Sequence, residues 1–188
     1  MAHQKSFITG TPIVTLVDQD NNVLGKEDVF SAHLGNARRH RAISVFLFNN
    51  NGELLLQQRS NKKMLAELLW ANTCCANVAF GESFEQCAHR RLEQELGITR
   101  VALKELFTFE YHEKINNQFS EWEIDKIFVG FFNDSALPNP NEVNDIRWIK
   151  PEKLLAEIQE QPEQFSVWIK IVAQRKEFLH FLTTLPNI

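Results

Sequence analysis

No stretch of this 188-residue chain is apolar over the roughly 18–20 residues that a membrane-crossing helix needs, so a helical span is not expected. Met1 to Thr11 lacks the apolar core of a secretory leader, which points to a cytoplasmic location. Only three cysteines occur, and Cys74 and Cys75 are adjacent; an odd count so placed argues against a disulfide framework and suits a reducing compartment. Internal repeats, low-complexity tracts and Pro/Gly/Ser linkers are all absent. A single domain over residues 1–188 is therefore expected, with 1–11 as a flexible arm. Positive charge is also in short supply: the net charge of -4 gives no general nucleic-acid footprint. Nothing in the composition sets a quaternary state, and a monomer is the expectation.

What is present begins with an ordinary globular share of apolar residues, 44%. Charge is unevenly spread. Between Arg38 and Arg91 eight basic residues face four acidic ones, a local +4 in a chain of net -4. Such a patch fits either a solvated surface or a site for a small anion. Pro12 to Asp18 reads as a strand. Ala42 to Phe48 and Glu53 to Arg59 are apolar runs joined by Asn49-Asn50-Asn51-Gly52, a hairpin signal. Phe84 to Leu96 reads as a helix, with Ser83 as N-cap, a 3.6-residue apolar period and Gly97 as its stop. Strands follow at Val101 to Glu110, Glu123 to Phe132 and Asp145 to Ile149. Pro151 opens a helix to about Glu160, and Pro162 to Leu182 is amphipathic and helical. The predicted class is α/β or α+β, a mixed sheet sandwiched between helices.

Two groups of residues suggest chemistry without any comparison. Glu121 and Glu123 lie two apart in a strand and so project to one face, where burial costs free energy unless a cation neutralises them; an exposed edge with two solvated carboxylates is the plainer alternative. His33 and His40 are seven residues apart, about 10 Å along a straight helix, too far to share an ion. Gly35-Asn36 can break the chain between them and bring the imidazoles together.

Around the helix, the pattern Ala76, five residues, Glu82, seven residues, then Arg90-Arg91-Leu92-Glu93-Gln94-Glu95-Leu96-Gly97 resembles a Nudix box, with Ala76, Arg91 and Gln94 where hydrolases carry Gly, Glu and Glu. Asn72-Thr73-Cys74-Cys75-Ala76-Asn77 resembles the Asn-Thr-Cys-Cys-Ser-His segment of type 1 isopentenyl-diphosphate isomerases, a Nudix-fold branch. Ser31-Ala32-His33 with His40, Glu121-Trp122-Glu123, Trp70, Tyr111 and Phe165-Ser166-Val167-Trp168 fall in the same order as that family's motifs, from about residue 12 to residue 182.

The resemblance implies a Nudix-type fold and the interconversion of isopentenyl and dimethylallyl diphosphate through a tertiary carbocation. It makes Cys75 and Glu123 the acid/base pair on opposite faces of the substrate, with Tyr111 assisting protonation. A thiol can serve there if its pKa of about 8.5 is lowered. Cys74 and Cys87 read as core residues. His33, His40, Glu121 and Glu123 are implied as ligands of one metal, and Glu95 as ligand of a second that arrives with the diphosphate. Arg59, Lys63 and Arg91 are implied to hold the diphosphate, and Trp168 to face the cation with its ring.

Two departures from the family fall on residues with an implied binding role. Val29 stands where a lysine is expected, leaving Lys26 or Lys62 as substitutes. Asn77 replaces the third histidine ligand, and His89 is the nearest histidine that could compensate through space. An amide oxygen in place of an imidazole favours Mg²⁺ or Mn²⁺ over Zn²⁺ or Fe²⁺. A Nudix hydrolase of a diphosphate, and a weakened or silent relative of the isomerase, are the rival readings.

Overall fold

The structure is a computed structural model, described here for residues 12–185, so the arm expected at 1–11 lies outside the described residues. The chain opens with β1 (Ile13–Val17) and β2 (Val23–Asp28), an antiparallel pair. Asp28 then caps a five-residue helix, α1 (Val29–His33), by accepting from the Ser31 backbone N–H at 3.0 Å. The centre is β3 (His40–Phe48), which has β8 (Ser120–Phe131) parallel to it on one side and β6 (Cys74–Asn77) antiparallel on the other. β7 (Leu103–Lys114) continues the sheet beyond β8. β4 (Leu54–Arg59) pairs with the short β5 (Trp70–Ala71) and with β9 (Val143–Ile149).

The interior of β3 is apolar without alternation because both of its faces are covered. Ile43, Val45 and Leu47 pack toward Cys87, Ala88, Leu92 and Leu96 of α2 (Phe84–Leu96). Phe46 and Phe48 belong to the other layer, with Leu154 and Ile158 of α3 (Pro151–Glu160), Ile169 and Val172 of α4 (Val167–Val172) and Phe178 of α5 (Lys176–Thr183). The expected mixed sheet between helices is thus formed. Ser83 and Gln86 cap α2 reciprocally, and Gly97 ends it in the left-handed region at φ 67°, as its sequence signals require.

Three expectations are corrected. The turn after Phe48 forms, yet β3 and β4 pair only at Phe48↔Leu54, because β8 and β6 flank β3 while β9 takes β4. The segment from Pro162 is not one helix. A 3-10 turn at Pro162–Gln164 gives way to extended Phe165, whose neighbour Ser166 donates its backbone N–H to Trp70 O at 2.9 Å, and only then do α4 and α5 follow. β2, β5 and β6 were not expected; β5 has two residues and β6 four, too short for an alternation to declare itself. Among the described residues no helix is long and apolar enough to cross a membrane.

Candidate active site

α1 stops at His33 because Leu34 turns extended and Gly35 and Ala37 take positive φ of 64° and 57°; the chain re-enters the sheet at His40, the first residue of β3. The break between the histidines is the expected one, and the second histidine sits on a strand. Their rings lie 4.6 Å apart. His40 pairs in register with Glu123 of β8, and Glu121 is on the same face two residues earlier. His33 Nδ1 is 2.6 Å from Val29 O and His40 Nδ1 is 2.7 Å from Arg38 O. Donation to these carbonyls turns both Nε2 atoms toward the carboxylates, at 2.9 Å from Glu121 and 3.4 Å from Glu123.

One donor atom from each of His33, His40, Glu121 and Glu123 lies within 4.8 Å of the others, and all four residues are buried. Burial and the neighbouring Glu123 raise the Glu121 carboxyl above its ordinary range. Glu123 is held low: burial opposes this, and His40 and the Tyr111 hydroxyl, which donates to Glu123 Oε2 at 2.6 Å, outweigh it. Burial also works against a charged His33, but its hydrogen bond to Glu121 wins and raises it to about 9. His40 Nε2 is buried without a hydrogen-bond partner. Two carboxylates and two oriented imidazoles, one with its Nε2 orphaned, form a donor set that fits a divalent cation.

This quartet opens at His33, Glu121 and Glu123 into a cavity of about 360 Å³ that is also lined by Cys75, Asn77, Trp168, Arg59, Lys63 and Arg91. Cys75 and Asn77 share a face of β6, opposite Ser44 and Ala42 of β3. Cys75 and Glu123 therefore come from the two strands that flank β3. The thiol is not lowered toward neutrality. Burial pushes it up to about 12, against the pull of Arg59, whose Nη1 lies 3.3 Å from the sulfur. Trp168 is buried, and the Arg59 guanidinium sits 4.9 Å from its ring centroid. Cys74 and Cys87 pack in the layer under α2, as expected.

The cations that line the cavity are already partnered. Arg59 donates twice to Leu65 O, at 3.2 and 3.1 Å. Lys63 is 3.2 Å from Glu95, Arg91 pairs with the same carboxylate, and Gln57 donates to it at 2.8 Å. Glu95 has no exposed surface; burial favours its protonation, but Lys63 and Arg91 hold it at about 2.

Two residues were missed from sequence. Glu142, in the turn before β9, pairs with Lys63 and lies 3.1 Å from Arg91; no motif marks it. Asp125 continues the Glu121–Glu123 face, accepts from Ser44 at 2.8 Å and is pushed well up by burial and by Glu123; its alternation with those glutamates was the available signal. The suggested substitutes are not in the cavity wall. Lys26 lies over the Phe80 ring, Lys62 reaches Asn141, and His89 lines a separate depression on the outer side of α2.

A model of the NUDIX domain matches residues 38–169. Isopentenyl-diphosphate Delta-isomerase 2 of Photorhabdus laumondii is 39% identical over 158 residues, covering 84% of this chain and 88% of that protein. Isopentenyl-diphosphate Delta-isomerase of Pectobacterium atrosepticum is 36% identical over 162 residues, covering 86% and 89%. The crystal structure of DR0079 from Deinococcus radiodurans superposes with a TM-score of 0.72 at 21% identity, over 87% of this chain and 98% of that one, a likeness of fold. The strands that carry His40, Glu121 and Glu123 are thus those of a NUDIX domain, with His33 brought to them by α1, and with such identity along most of its length the chain belongs to the isopentenyl-diphosphate Delta-isomerase family.

Proposed function

We propose that this chain interconverts isopentenyl diphosphate and dimethylallyl diphosphate. The observation that carries this reading is one cavity lined by Cys75, by members of a buried His/Glu quartet and by the cations Arg59, Lys63 and Arg91. Moving the double bond adds a proton at one end of the allylic unit and removes one at the other, through a tertiary cation. Cys75 and Glu123, from opposite sides of β3, supply these two exchanges. Tyr111 assists at Glu123, to which its hydroxyl donates. The electron-rich ring of Trp168, which already carries the Arg59 cation, steadies the positive charge of the intermediate.

The quartet suits Mg²⁺ or Mn²⁺, with Asn77, which lines the same cavity, as a source of an amide oxygen; such an ion would neutralise the paired carboxylates and fix Glu123 in place. Arg59, Lys63 and Arg91 hold the diphosphate. Glu95 becomes available to a second ion only once the diphosphate draws Lys63 and Arg91 from it. The free thiols of Cys74, Cys75 and Cys87 suit a cytoplasmic setting. A diphosphate hydrolase is disfavoured because Arg91 and Gln94 stand where its metal-binding acids would be.

The test is NMR observation of isopentenyl diphosphate incubated with the purified protein, with and without Mg²⁺ or Mn²⁺. Dimethylallyl diphosphate is expected, without released phosphate. Cys75→Ala and Glu123→Gln should each cut turnover roughly 10²–10⁴-fold, as loss of a positioned acid or base does. Cys74→Ala, altered in the core behind, should stay within a few-fold. Phosphate release without isomerisation, or equal losses at both cysteines, would defeat the reading.

A further inference from the structure

Glu142 is the one acid of the cation cluster that is both reachable and unassigned. Its carboxylate pairs with Lys63 and lies 3.1 Å from Arg91, and it is 28% exposed, whereas Glu95 beneath the same cations has no exposed surface. The backbone that carries it is fastened on both sides. Glu142 O accepts from Ser60 N at 3.0 Å, and Asn141 O accepts from the Ser60 hydroxyl at 2.8 Å. On the other side, Asn139 N donates to Glu95 O at 2.8 Å. A carboxylate on so anchored a turn is placed against Lys63 and Arg91 by the fold and does not drift there as a surface side chain. Three cations, Arg59, Lys63 and Arg91, thus face two acids, leaving a net charge of +1 to receive a diphosphate that carries more than one negative charge. A diphosphate on Lys63 and Arg91 would lie beside the Glu142 carboxylate, and the two like charges would compete for the same cations.

We infer that Glu142 is the resident counterion of the diphosphate subsite, which holds Lys63 and Arg91 in place in the empty protein and must be displaced when a diphosphate binds. Building on the isomerase reading, it makes Glu142 an affinity-setting residue: only ligands with enough charge to win both cations from it are retained. Its side chain alone has to swing outward, since the turn beneath it is tied down. Removing the charge should therefore tighten anion binding, a gain that damage to the fold would not produce.

The experiment is calorimetric titration of inorganic pyrophosphate into wild-type, Glu142→Gln and Glu160→Gln proteins in chelator-treated buffer, repeated with Mg²⁺. Glu160 is an exposed acid at the end of α3 and controls for net charge. Glu142→Gln is expected to bind pyrophosphate at least roughly tenfold more tightly without metal, and Glu160→Gln to bind as the wild type does. Unchanged or weaker binding by Glu142→Gln would overturn the inference, as would an equal gain in Glu160→Gln. So would a gain confined to metal-free buffer that reverses with Mg²⁺, since that marks Glu142 as an ion ligand. Pyrophosphate is not isomerised, so these outcomes are separate from whether the protein turns over isopentenyl diphosphate.

Discussion

Asn77 shares its strand face with Cys75 and lies across β3 from Asp125, both residues being in register with Ala42. Its amide oxygen is a harder and weaker donor than an imidazole nitrogen, so an ion bound here would rest chiefly on His33, His40, Glu121 and Glu123. The wild type is therefore expected to hold Mn²⁺ loosely. Asn77→His should tighten it by ~10-fold or more, if outer-shell losses of 10–100-fold are a lower guide to the value of a ligand, and should raise turnover. Calorimetric titration of both forms with Mn²⁺ measures this; equal affinities would show that the amide already completes the site. The same scale explains why Cys75 departs from expectation. A thiol responds to its surroundings, and burial in the cavity wall outweighs the single guanidinium beside it.

At the level of elements, α1 is too short to be stable by itself and is held by what its last residue reaches. His33 ties α1 to Glu121 of β8, and Ser120 fastens the following loop by donating to Gly35 O at 2.6 Å. The pKa of His33 rises from 6.5 to about 9 in the folded, metal-free protein. A raised pKa means that the contribution of the His33–Glu121 pair is fully present below 6.5 and is lost as the pH rises through about 9. The metal-free protein should accordingly lose a few degrees of melting temperature across that window, and His33→Gln should lack this decline. An ion competes with the proton for the same Nε2, so its apparent affinity should climb with pH over the same range while protons are released. Thermal scans and calorimetry in buffers of different ionisation enthalpy check both parts.

For the molecule as a whole, a net charge of -4 coexists with a cavity whose wall carries Arg59, Lys63 and Arg91. Such a field would draw an anionic substrate in and would be screened over ~10 Å at 0.1 M salt. Raising the sodium chloride concentration should increase the KM for isopentenyl diphosphate several-fold and leave kcat nearly unchanged; a KM indifferent to salt would remove the electrostatic role of the cluster. Much of this was legible beforehand. The 3.6-residue period and caps marked α2, the mostly apolar run from Glu123 marked β8 as a central strand, and residue spacing marked Glu121 with Glu123 and the break between His33 and His40. Each of these is a local property, set within a few residues by side-chain direction and backbone preference. Only the tertiary structure decided that β8 and β6 flank β3, which brings Cys75 and Glu123 to one cavity and leaves the turn at Asn49 joining strands that scarcely pair. It also decided that Glu142 meets Lys63 and Arg91, and that Asp125 is sealed beside Ser44. Those contacts join residues 51 or more positions apart along the chain, and their charges depend on how completely the helices shut out water, neither of which any short stretch of sequence encodes.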